Sequence, residues 1–259
     1  MNRSLTQILF ALLHLTLLIS ELSLAQQSRF DEANELMDEQ RVAEALDMYR
    51  SIEQDGYRSG RLYFNMGMAA LYQDSLGLAK FYMMQSEQFK ETARPAGDAL
   101  QMINNRFERR SAVLPPLPWE RFTAWVESQF SDTQLMIFSL ILLNVAAGAV
   151  IGSWFTRKGV RLFRYGSIVA AVLSLLLMAL AFTLQYMDRR YATGVMVERQ
   201  TTVHERPDPN SASVSTAYEG YTMRVDLKLS EQPETGDWSR VRLQNGVYGW
   251  VQSKPLRHF

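Results

Sequence analysis

The residues able to do chemistry fall into three groups, and in each the chemistry is recognition. Asn34, Arg61, Asn65, Met68 and Tyr72 lie at helical spacings and combine amide donors and acceptors, a cation and apolar surface. That mixture suits a groove for a peptide or a partner helix, or a solvated helix face. Trp238, Tyr248 and Trp250 sit in a β-rich segment and offer flat aromatic contacts for a ligand. Trp250 is also suited to packing partly into that segment's core. Asn144, Gly148 and Gly152 recur every four residues within an apolar run, so they share one helix face. Glycines four apart permit close helix approach, and an amide in lipid seeks a hydrogen-bonding partner.

Other chemistries are poorly supplied. The chain has no cysteine, which removes disulfides, thiolate metal sites and cysteine nucleophiles. Its three histidines, His14, His204 and His258, are scattered, and His258 is the penultimate residue. No catalytic set, metal site or cofactor motif is recognisable. Lysine plus arginine equals aspartate plus glutamate at 27 each, so charge gives no reason to expect a nucleic-acid partner.

The elements that must position these groups are organised by two uncharged apolar runs, residues 135–155 and 166–186. At about 1.5 Å per residue, each reaches roughly 30 Å, the depth of a bilayer's hydrocarbon core. Spanning helices are expected at 134–155 and 166–187, forming a hairpin; the alternative is a buried helical pair in a soluble protein. The connection at 156–165 carries Arg157, Lys158, Arg161 and Arg164 and no acid, so it belongs in the cytoplasm. Residues 1–25 have a signal-peptide layout, with a short apolar core and small residues Ser23 and Ala25 ahead of the predicted cleavage. An uncleaved signal anchor is the alternative. Either one exports the helical segment that begins at Ser28.

Residues 28–110 read as successive helices with an internal period. Ala33 and Gly67, Leu36 and Ala70, Ala45 and Ala79, and Tyr49 and Met83 are each 34 residues apart. This period, with small residues where paired helices meet, resembles the tetratricopeptide repeat. Gln40 and Ser75 stand where that repeat often has a turn glycine. A helix from Pro95 to Arg110, with Leu100, Ile103 and Phe107 on one side, would cap the array. The linker at 111–133 holds a proline-rich stretch and then Phe122, Trp125, Val126 and Phe130 at helical spacing. That pattern fits a helix lying in the membrane interface, or one packed on the repeats.

Beyond Arg190 the pattern is β. Strands are expected at 195–197, 213–215, 221–229 and 238–243, with a hairpin turn at Asn245-Gly246. Arg206-Pro-Asp-Pro209, Tyr218-Glu-Gly-Tyr221, Gly236-Asp-Trp-Ser-Arg-Val241 and Asn245-Gly-Val-Tyr-Gly-Trp-Val251 resemble bacterial SH3-like domains in order and spacing, across residues 192–259. Asp208 replaces a glycine common in the first loop. The resemblance implies a small all-β barrel.

Signal peptide, helical repeats, linker, membrane hairpin and SH3-like unit, in that order, resemble the BatE family of the Bacteroides aerotolerance operon. The resemblance implies an inner-membrane protein with both soluble units in the periplasm. It also implies von Willebrand A-type membrane proteins and a MoxR-type ATPase as partners. The expected function is non-enzymatic: a scaffold holding a protein on its repeats and a peptide or cell-wall ligand on its SH3-like unit. The alternative is a cell-wall-binding envelope sensor that acts through a membrane partner.

Overall fold

The computed structural model describes residues 26–109, 113–115, 118–155 and 160–259. The expected export signal with His14, and Arg157 and Lys158 of the basic connection, lie outside the described residues.

Five helices form the first unit: α1 (residues 26–38), α2 (Val42–Gln54), α3 (Gly60–Tyr72), α4 (Leu76–Glu87) and α5 (Ala93–Arg106). Local geometry repeats with the sequence period. α1 ends at 38 and α3 at 72, α2 begins at Val42 and α4 at Leu76. The residues with positive φ between the paired helices are Gln40 (63°) and Asp74 (54°), so the second left-handed position is Asp74 and not the expected Ser75. Each turn must reverse the chain within three residues, and the left-handed residue does this. A left-handed L-residue costs about 1–2 kcal/mol, most of which glycine avoids. Gln40→Gly will therefore raise the stability of the helical unit by about 1 kcal/mol, read as a higher melting temperature. Ala33, Ala45, Ala69, Ala70 and Ala79 are fully buried where the helices touch, and Leu46, Ile52, Leu62, Met66, Met83 and Ile103 fill the space between them. α5 supplies Ala96, Leu100 and Ile103 to this core; the helix ends at Arg106, short of the expected Arg110, and Phe107 follows it in extended backbone, partly buried against the same core.

α6 (Pro118–Gln129), α7 (Asp132–Phe155) and α8 (Val160–Arg190) come next. α7 and α8 are both long and apolar enough to cross a membrane. Helix continues past the expected boundaries: Arg161 and Arg164 are helical, and α8 runs through Arg190 directly into the first strand. The helices pack along a seam of Leu135, Ser139 and Ala146 on α7 and Ser167, Ser174, Ala181 and Leu184 on α8. These spacings of three, four and seven keep one stripe facing the partner helix. At its centre the hydroxyls of Ser139 and Ser174 donate to each other's backbone carbonyls, at 2.9 and 2.8 Å. α6 packs on the hairpin. Its Val126 joins Leu135, Ala181 and Leu184 at the open end of the hairpin, while Trp119, Phe122 and Trp125 stay exposed.

The last unit is a seven-stranded antiparallel sheet: β1 (Tyr191–Met196), β2 (Gln200–His204), β3 (Ser213–Tyr218), β4 (Thr222–Asp226), β5 (Trp238–Leu243), β6 (Tyr248–Gln252) and β7 (Leu256–His258). The order is β3-β2-β6-β5-β4-β1-β7, so the sheet does not close into the expected barrel. Its β7 edge is covered instead by the helical unit, where Phe81 of α4 meets Phe259 edge-on at 5.6 Å. Strands β2 and β7 were not evident from the sequence pattern. The expected strand at 221–229 stops at Asp226, whose carboxylate accepts from the Leu229 amide and starts the short helix α9 (Leu227–Ser230). The turn at Asn245-Gly246 forms as expected, with Gly246 at φ 85°.

Helical unit and sheet pack together. The start of α4 lies on the end of β1, and Val195 belongs to the helical core. Glu219, from the turn after β3, caps α4 by accepting from the Gly77 amide at 2.7 Å. Lys80 donates to the Gly220 carbonyl at 2.7 Å and lies over the Phe107 ring. Burial there pulls its ammonium below the usual lysine range.

Candidate functional site

The helical unit's cleft is built from α1, α2 and α3. Asn34 projects from α1, Tyr49 from α2, and Arg61, Asn65 and Met68 from successive turns of α3. All five line one open cavity of about 440 Å³, together with apolar surface from Phe30, Met37 and Phe64. Four of the five expected groove residues therefore come together. Tyr72 does not: it lies one turn beyond Met68 with its side chain 69% exposed.

The cleft floor is a hydrogen-bonded triad. Asn34 Oδ1 accepts from the Tyr49 hydroxyl at 2.7 Å and from Asn65 Nδ2 at 2.8 Å. The Asn34 amide nitrogen and the Asn65 side-chain carbonyl oxygen take no part in this triad. A donor beside an acceptor matches the edge of a peptide backbone, Arg61 adds a site for an acidic group, and the aromatic and methionine side chains supply apolar contact. The sequence pattern singled out Tyr49 only for its 34-residue spacing from Met83 and missed its hydroxyl as part of the floor. The available signal was a tyrosine one helix away from Asn34 within the same helix pair.

Tyr49 is only 1% exposed, and burial pushes its hydroxyl up to about 12. Between about pH 10 and about 12 the unfolded chain releases a proton that the folded protein keeps, so stability falls as pH rises, by at most about 1.4 kcal/mol per pH unit. Tyr49→Phe should remove that part of the alkaline loss, as well as one late step in tyrosinate absorbance. At neutral pH it should cost about 1 kcal/mol for the lost bond to Asn34. Urea titrations of both proteins across this range check the sign.

On the sheet, Tyr248 and Trp250 alternate with buried Gly249 and Val251, so both point away from the core. Trp250 is half-buried on the face opposite Gly249 and Val251, which the strand's period assigns to the core side. It stands opposite Arg240 on β5, and Tyr248 stands opposite Arg242. The Arg240 guanidinium lies 5.5 Å from the Trp250 ring and 5.9 Å from Tyr248, and Arg242 lies 5.4 Å from Tyr248. Trp238 is on the same face, edge-on to His204 at 5.3 Å. This face offers aromatic surface and guanidinium groups together.

The third group does not meet α8. Asn144 is exposed and donates to its own helix, at the Leu140 carbonyl, 2.8 Å away. A Cβ added at Gly148 or Gly152 would meet nothing within 4 Å. Among the described residues the buried seam consists of serines, alanines and two leucines, not of these glycines. Among the described residues no group of three or more His, Asp or Glu side chains is arranged to hold a metal ion.

No protein-family model and no curated protein matches this chain.

Proposed function

We propose that this chain is a non-enzymatic, membrane-tethered scaffold similar to the BatE family. Its tetratricopeptide-like unit holds a segment of a protein partner in the α1–α3 cleft. An SH3-like sheet presents Trp238, Tyr248 and Trp250 to a peptide or cell-wall ligand. The observation that carries this reading is the cleft itself, where Asn34, Arg61, Asn65 and Met68 converge on a Tyr49-braced floor. The recurrence of helix ends at a 34-residue interval supports the repeat assignment. α7 and α8 span the inner membrane with Arg161 and Arg164 on the cytoplasmic side. Both soluble units are periplasmic. Their packing through Gly77, Lys80 and Phe81 supports a common side, because two units in contact cannot be separated by a bilayer. The face of α7 carrying Asn144 and Gly148, which α8 leaves open, receives a helix of a membrane partner.

By resemblance, the partners are von Willebrand A-type membrane proteins working with a MoxR-type ATPase under oxygen or envelope stress. Tethering two sites to one membrane raises effective concentration, so weak individual sites suffice. The test is capture from detergent-solubilised membranes with the full chain as bait. A membrane protein should co-purify, and Asn65→Ala with Arg61→Glu should release it. Retention of that protein by the double variant would remove the cleft from the account. Binding to isolated sacculi without any protein partner would favour the envelope sensor.

A further inference from the structure

A second cavity, of about 860 Å³, lies between α6, the last turn of α8 and the sheet. Its charged lining is two arginines on the sheet wall, Arg224 and Arg242, and three carboxylates on the opposite wall, Glu120, Glu127 and Asp188. On the sheet wall, Arg224 of β4 stands directly opposite Arg242 of β5. Like charges facing each other across a strand pair are destabilising. Arg224 lies over the Tyr191 ring at 5.5 Å and forms no ion pair with any described residue, while Arg242 reaches Glu120 only at 3.5 Å. The other wall carries Glu127 of α6 and Asp188 of α8, and neither is ion-paired among the described residues. Burial and the neighbouring Asp188 charge raise the Glu127 carboxyl above the usual range, against the pull of Arg224. Glu120 partly offsets Arg242 and Arg224 attracts Glu127, but among the described residues no close ion pair joins Arg224 to Glu127 or Asp188. Such a local conflict is what a bound ligand resolves.

Position narrows the ligand. Met187 and Asp188 form the first turn after the apolar stretch of α8. Glu120, Thr123 and Glu127 face the cavity from one side of α6, and exposed Trp119, Phe122 and Trp125 occupy the other side. In the membrane reading proposed above, on which this inference rests, the aromatic side of α6 enters the bilayer surface. The cavity then opens at headgroup depth.

We propose that this cavity binds the headgroup of a zwitterionic phospholipid that carries a phosphodiester and a primary ammonium. The phosphate sits between Arg224 and Arg242, and the ammonium sits between Glu127 and Asp188. Arginine suits phosphate through its planar donor fork, and a primary ammonium gives each carboxylate a charged hydrogen bond. An anionic glycerol headgroup offers only the first half of this match.

The full chain is reconstituted in bilayers of equal phosphatidylethanolamine and phosphatidylglycerol, washed with carbonate, released gently and weighed with its retained lipid by native mass spectrometry. Wild type should keep the ethanolamine lipid in preference by on the order of tenfold, the ratio that one added charged contact supplies. Glu127→Gln with Asp188→Asn should abolish the preference but not retention. Arg224→Gln should weaken retention of both lipids. Added soluble phosphoethanolamine should displace the bound lipid. Equal retention of the two lipids by wild type, or a preference that survives the double substitution, overturns the proposal while the membrane reading stands. Loss of the chain in the carbonate wash defeats the membrane reading, and this inference with it.

Discussion

Gly77→Ala will destabilise the protein by about 2–3 kcal/mol, although the same change in an exposed helix stabilises by about 1 kcal/mol. Gly77 is buried in the first turn of α4, against the sheet. A Cβ there would lie 2.6 Å from the Met196 carbonyl oxygen and 2.9 Å from the Val197 Cα. Both obstacles are backbone, so no side-chain rotation relieves them. α4 must withdraw, which lengthens the Glu219 cap on the Gly77 amide and the bond from Lys80 to Gly220. Gly97→Ala in α5 is the control, since its Cβ would meet only the flexible end of Glu87 at 3.3 Å. The expected result is a lower melting temperature for the first variant and a slightly higher one for the second. Hydrogen exchange should accelerate at the Gly220 amide, which donates to Met196. Equal melting of the two variants would mean that the helical unit does not dock on the sheet through this contact.

Ser174→Leu will separate α7 from α8, at a cost of about 3 kcal/mol from overpacking and lost hydrogen bonds. Ser174 is 1% exposed and Ser139 0%, and each hydroxyl serves the other's carbonyl. In the membrane reading proposed above, lipid is as apolar as leucine, so these helices gain little from burial and depend on close approach and polar contacts. A leucine at this crossing removes both. Gly148→Ile adds more bulk on the open face and should leave the hairpin intact. Unfolding by SDS in mixed micelles distinguishes the two. Loss of hairpin stability in Gly148→Ile, with Ser174→Leu unaffected, would place the seam on the opposite face of α7.

Much of this arrangement was legible because it is local. The 34-residue spacing located the helix pairs, Asn245-Gly246 located a hairpin, and β5 falls at Trp238–Leu243 as the alternation predicts. Asn34, Arg61, Asn65 and Met68 could be grouped because helical periodicity and the 34-residue spacing fix their faces. The features that were not legible depend on distant residues. Glu219 accepts from the amide of Gly77, 142 positions earlier, and no local pattern announces that cap. β7 and Phe259 are held by α4, and that contact has no periodic signature in a three-residue strand. On α7, both the Asn144–Gly148 stripe and the Ser139–Ala146 stripe are small and regular. Only the matching positions on α8 decide between them. The paired charges around Arg224 and Asp188 likewise arise from strand register and from the approach of α6.

Single cysteines provide the most direct test of the central claim, that the two soluble units share one side of a membrane spanned by α7 and α8. The chain has no cysteine of its own, so each substitution is the only thiol. Asp98→Cys in α5 and Lys254→Cys before β7 place thiols at exposed positions of the two units, and Arg161→Cys places one at the hairpin's closed end. Intact spheroplasts are treated with a membrane-impermeant thiol reagent. Asp98→Cys and Lys254→Cys should label, and Arg161→Cys should label only after the membrane is opened. Labelling of Arg161→Cys in intact cells, or of only one of the two soluble positions, would contradict the account.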